Sequence, residues 1–176
     1  MVVRLSFKFI VHNYLFFLVD NYIKPIIYFV KRIIELNRKY KMKNKIFELY
    51  KPKSLAEFLS FKKENPEERF VYVLQQPPAH INILNASDFG YLVICLPNLG
   101  PDSQIVFSSS PFVFKMQKNL RDFREQDYVL LTGDPAVIGI SCAIVSDNTN
   151  GKFNLLKWDR REYKYYPINF DLYQKG

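Results

Sequence analysis

The chain has 176 residues, 48% of them hydrophobic and 24% charged, with a formal net charge of +8. That length and composition suit one globular domain with a tail, and they exclude a second full core and a disordered polymer. The charge is uneven: residues 1–41 hold eight Lys/Arg against Asp20 and Glu35, or +6, and the rest carries 17 basic and 15 acidic residues, or +2, too near neutrality to favour nucleic acid as a partner.

In residues 1–41, 27 are Phe, Ile, Lys, Asn, Tyr or Leu, while the first Ala is Ala56 and the first Gly is Gly90. These codons are A/T-rich, so the stretch reads as translated upstream sequence, with Met42 as the expected start of a single domain over 42–176. A spanning helix needs about 20 apolar residues, and Asp20, Lys24 and Pro25 interrupt the run. An amphipathic surface helix from Lys24 to Lys41 is the other reading, with Ile27, Val30 and Ile34 facing away from Lys31, Arg32 and Arg38. Only that reading would bring a membrane partner. No basic segment, apolar core and small-residue cleavage site follow one another at the start, so export is not indicated.

Ser54-Leu55-Ala56-Glu57 has the form of a capping box and predicts a helix from Ser54, ended by Asn65-Pro66. Phe70 to Leu74 is a short strand pattern closed by Gln75-Gln76-Pro77-Pro78, where proline lacks the amide a strand needs. Tyr91 to Leu96 is continuously apolar, as a strand covered on both faces should be, and is expected at the sheet centre; Pro97-Asn98-Leu99-Gly100-Pro101 breaks it.

After a Ser-rich loop, a helix is predicted over 111–124, with Pro111 behind Ser110 and with Phe112, Met116, Leu120 and Phe123 on one side. Tyr128 to Leu131 is a further strand. Thr132-Gly133-Asp134-Pro135 then turns it into a helix with Asp134 as N-cap and Pro135 at N1, and Asp147 to Gly151 ends that helix with turn residues. Phe153 to Trp158 and Tyr163 to Leu172 read as two strands joined by Asp159-Arg160-Arg161-Glu162. Cys95 and Cys142 both lie in apolar stretches, where reduced thiols behave as small hydrophobes in a cytosolic protein.

The predicted order, α-β-β-α-β-α-β-β, gives an α/β fold: a small three-layer mixed sheet, central parallel strands with flanking helices, and a C-terminal antiparallel hairpin. "DYVLLTGDPAVIGISCAI" followed by "GKFNLLKWDRREYKYYPINFDL" resembles a family of small tailed-phage proteins with no assigned function. The resemblance covers roughly 91–172 and rests on Leu131 to Pro135, Leu155 to Arg160, Tyr166-Pro167 and Asp171-Leu172, with Val73 to Pro78 agreeing upstream. It implies a phage- or prophage-encoded accessory protein acting in a bacterial cytoplasm on a host component, and it brings no chemistry or cofactor with it.

Two places are candidate sites. In an open parallel sheet, ligands bind beyond the carboxyl ends of the strands. Thr132, Gly133 and Asp134 share such a rim with Pro97 and Asn98, and with Trp158 and Asp159 if that strand is parallel. As an N-cap, however, Asp134 would occupy the helix amides and repel an anion. Lys157-Trp158-Asp159-Arg160-Arg161 is either a basic, aromatic recognition surface or simply a hairpin turn. His80 is a lone loop histidine and His12 lies far from it, so neither metal nor acid-base spacing exists, and no phosphate loop, dinucleotide fingerprint, Cys-x-x-Cys or Gly-x-Ser-x-Gly occurs. The expected activity is binding of a host or viral protein without a cofactor. The alternative is a nucleotide-binding or small-molecule enzyme using the rim at Thr132 to Asp134.

Overall fold

The computed structural model of the protein describes residues 19–43, 45–98 and 109–174. The chain divides into two compact units, Met1–Met42 and Lys43–Gly176. In the first, a π-helical turn, Val19–Ile23, leads into helix α1, Lys24–Lys43. Pro25 sits in its first turn, where a missing N–H breaks no helical bond. Ile26, Ile27, Tyr28, Phe29 and Val30 are all exposed on this helix. The side chains of Ile34 and Arg38 lie outside the described residues, as do residues 1–18 and 99–108. Among the described residues no helix is long and apolar enough to cross a membrane.

The second unit is an α/β domain built on one six-stranded sheet. Its elements are β1 (Ile46–Glu48), α2 (Pro52–Glu64), β2 (Phe70–Gln75), a 3-10 helix (Leu84–Asp88), β3 (Tyr91–Leu96), α3 (Ser109–Leu120), β4 (Tyr128–Leu130), α4 (Pro135–Asn148), β5 (Lys152–Asp159) and β6 (Lys164–Asp171). The strands lie in the order β1-β3-β2-β4-β5-β6. All neighbours are parallel except β5 and β6, which form the antiparallel edge. The α/β sheet with parallel centre and terminal hairpin is therefore present as expected.

Strand alternation assigns the two faces. Phe70 and Tyr72 of β2 meet Phe58 of α2 with ring centroids 5.3 and 6.2 Å apart, and Tyr72 also meets Phe123. Met116 and Leu120 of α3 and Val137 and Val145 of α4 are buried in the same helical layer. Asn119 donates to the Cys95 carbonyl and Asn148 to that of Leu120, each at 2.8 Å, tying α3 to β3 and α4 to α3. On the opposite face Val71, Val73, Leu92, Ile94, Leu130 and Leu156 pack under Ile83 and Ala86. The third layer is thus the 3-10 segment that joins β2 to β3, not an α-helix.

Four local expectations change. The short edge strand β1 has no counterpart in the predicted order. Helix α2 begins at Lys51 as an N-cap without a side-chain bond and with Pro52 at N1. Ser54 is therefore inside the helix, and its Oγ accepts from the Glu48 N–H at 2.8 Å, fastening α2 to β1; Glu57 pairs with Lys45 instead of reaching back to a cap. β3 is internal, but β2 and β4 take the middle of the sheet. Helix α3 runs over Ser109–Leu120, so Phe123 reaches the core from the following turn rather than from the helix. The side chains of Ser109 and Ser110, and residues 99–101 of the expected break, lie outside the described residues.

Candidate functional site

The rim begins with Gln75, the last residue of β2, which is only 6% exposed. Its backbone carbonyl accepts from Thr132 Oγ1 and its side-chain Oε1 accepts from the Asp134 N–H, both at 3.0 Å. One side chain thereby joins the end of β2 to the loop between β4 and α4. Gly133 lies between these bonds at φ +116°, and a Cβ there would stand 2.4 Å from Gln75 Oε1. Glycine is required for the backbone angle and again for the close approach. Asp134 then caps α4, Oδ1 accepting from the Ala136 N–H at 2.7 Å with Pro135 at N1. This is the cap that the sequence predicted.

β5 runs parallel to β4, so its carboxyl end reaches the same rim. Asp159 closes the hairpin there, its Oδ1 accepting from the Arg161 and Glu162 N–H groups at 2.7 and 3.1 Å. Tyr163 completes the turn at φ +50°. The reversal sets three rings together: Trp158 stands 4.8 Å from Tyr165 and 6.4 Å from Tyr163, centroid to centroid.

Between the rim and the hairpin lies a cavity of about 1100 Å³. Thr132, Gly133, Asp134, Lys157, Trp158 and Arg160 all line it, so the two sequence candidates form one site. Asn98 joins them, whereas Asp159 is spent on the turn and does not line the cavity. Leu130 and Leu156 form an apolar floor, and Asn82 and Asn85 of the β2–β3 connection face across it. His80 is exposed and outside the lining. No group of acidic, histidine or cysteine side chains suited to a metal occurs among the described residues.

Sequence reading missed Gln75 and Tyr165. Gln75 stood beside two prolines and read as the end of a strand; Tyr165 read as one alternating residue of a hairpin. Both are more than nine-tenths buried, Tyr165 at 8% exposure, and both line the cavity. The Asp134 N–H fixes Oε1 on its own side, which leaves Gln75 Nε2 directed elsewhere. Among the described residues neither that nitrogen nor the Tyr165 hydroxyl has a partner. No fully buried side-chain nitrogen or oxygen there is left unpaired, so these two atoms are not sealed from solvent. Burial pushes the Tyr165 phenol up from its ordinary value.

Lys157 and Arg160 have no ion-pair partner among the described residues, and Asp134 is the sole carboxylate in the lining. The cavity therefore offers amide and hydroxyl groups, the Arg160 cation and an aromatic wall. The model of the family described as phage Pam3 gp32-like protein matches residues 69–172, more than half of the chain and every strand end around the cavity. No curated protein and no solved structure matches the chain.

Proposed function

The chain belongs to the family of phage Pam3 gp32-like proteins, and from that premise we propose that it acts inside the host bacterium by binding, with the strand-end cavity as its ligand site. The observation that carries this reading is the convergence of two sequence-distant groups on one cavity beyond the carboxyl ends of the parallel strands, the position where open α/β sheets take ligands. Binding is favoured over catalysis by what surrounds the cavity. Its described lining holds no histidine, cysteine, serine or glutamate, and its one carboxylate is committed to the Ala136 N–H. Thr132 Oγ1 is likewise engaged, by the Gln75 carbonyl.

A second reading, docking of a host or viral protein on the β5–β6 hairpin, draws support from Tyr163 at 74% and Tyr166 at 37% exposure beside Arg160. Tyrosine and arginine are the residue types that anchor protein interfaces. One experiment separates the two. Full-length protein is recovered from infected host cells beside the double variant Ile81→Trp/Leu131→Trp, which fills the cavity from two residues that are 45% and 39% exposed. Both should melt alike, since exposed substitutions rarely shift stability by more than about 0.5 kcal/mol. Native mass spectrometry should find a bound ligand on the wild type and none on the variant. A partner retained equally by both would overturn the cavity and favour the hairpin.

A further inference from the structure

We propose that the occupant of the cavity is a nucleoside phosphate, with the base stacked on Trp158 beside Tyr165 and the phosphate taken by Arg160; this rests on the cavity being the binding site. The first argument is the balance of the lining. Gln75, Trp158 and Tyr165 bring side-chain donors to the lining, and the Arg160 cation stands there against one carboxylate among the described residues. A ligand that satisfies such a set is rich in acceptors and carries negative charge.

The second argument is shape and surface. Trp158 and Tyr165, 4.8 Å apart and tilted by 59°, present an aromatic surface above the apolar floor of Leu130 and Leu156. A planar heterocycle gains by stacking on such a ring whichever base it is. An acidic peptide would satisfy the cation but would leave the rings without a stacking partner. The volume of about 1100 Å³ is ample for a base, a sugar and a phosphate together.

The third argument decides where the phosphate goes. A helix N-terminus beside a strand end is the usual cradle, but in α4 the Asp134 carboxylate already accepts from the Ala136 N–H. The anion is excluded there by like charge. Arg160, exposed and without an ion-pair partner among the described residues, is the cation left to meet it.

The chain has one tryptophan, and it stands in the cavity wall, so its fluorescence reads occupancy directly. Full-length protein is titrated with AMP, GMP, CMP and UMP, with adenosine, and with inorganic phosphate alone. Saturable quenching is expected for at least one nucleotide, with the matching nucleoside binding at least tenfold more weakly. Tyr165→Phe removes a hydroxyl that bonds to nothing described, so a merely structural tyrosine would show no change in binding. Here the dissociation constant should rise about threefold to tenfold with an unchanged melting temperature. Arg160→Gln should raise it at least tenfold and flatten its salt dependence, whereas Lys157→Gln, on the opposite face of β5, should leave it unchanged.

Absence of quenching by all four nucleotides at millimolar concentration would overturn the assignment, as would binding indifferent to both Tyr165→Phe and Arg160→Gln. If nucleotides fail while the Ile81→Trp/Leu131→Trp variant still loses a ligand found on the wild type, the nucleotide is wrong and the cavity stands. If that variant loses nothing, both fall.

Discussion

Asp134 is held by its side chain and its backbone together: Oδ1 accepts from the Ala136 N–H, and its own N–H donates to Gln75 Oε1. Replacing the residue by alanine removes the first bond and keeps the second, so Asp134→Ala should cost about 0.5 to 2 kcal/mol, while Asp134→Asn, which caps as well, should melt close to the wild type. Thermal melts of the two variants check this, and equal losses would mean that charge rather than capping matters at this position. Nucleotide binding supplies a second readout. Since Asp134 is the sole carboxylate among the described residues of the lining, the Asn variant should bind a nucleoside phosphate at least as tightly as the wild type. The cap was legible in the sequence because Gly-Asp-Pro between an apolar strand and an apolar helix is local information. Gln75 was not, because its acceptor role depends on a residue 59 positions away.

At the scale of elements, the ends of α2 and β2 are tied to the turn before β4 by a buried ionic cluster. Lys62 Nζ donates to the Tyr72 hydroxyl at 2.7 Å, to the Asp122 carbonyl at 2.5 Å and to Asp127 Oδ2 at 3.1 Å. Asp127, fully buried, accepts in addition from the Phe70 N–H and from Arg124, which reaches on to the carbonyls of Pro66 and Glu68. Burial pushes the Lys62 amine below its ordinary value, and the Asp127 carboxylate opposes that shift. Each charge is tolerated only because the others are present. Asp127→Ala strips the partner from both cations and from a strand N–H, and should cost about 3–5 kcal/mol. Lys62→Met leaves Asp127 paired with Arg124 and should cost clearly less. Denaturant midpoints for the two variants give the order, and a reversed order would refute this account of the cluster. Nothing in the sequence announced it: Lys62 and Asp127 are 65 residues apart, and each reads alone as a solvated charge.

For the whole molecule, the core sets an alkaline limit. Burial pushes the Tyr72 phenol well above its ordinary 10.0 and the Cys95 thiol upward from 9.0. Both are neutral in the folded chain at pH values where the unfolded chain releases their protons. A raised folded value means that the stability is fully present below the unfolded value and is lost as pH rises through it. Stability should therefore fall from about pH 9 upward, and Cys95→Ala should weaken the earlier part of that fall at some cost in core packing. Denaturation midpoints at stepped pH test it; a flat profile to pH 11, read against about 10 for an ordinary phenol, would show that these groups do not govern alkaline unfolding. Composition, apolar runs and turn residues determined by themselves the α/β class, most elements and the Asp134 cap, since each depends on neighbours within a few positions. Only the tertiary structure decided that Thr132 to Asp134 line one cavity with Lys157, Trp158 and Arg160, because parallel pairing of β4 with β5 is a long-range choice. It alone also placed Ser54 inside a helix instead of at its cap. A local motif yields when a neighbouring strand offers its donor, here the Glu48 N–H of β1, and no pattern over residues 54–57 encodes that strand.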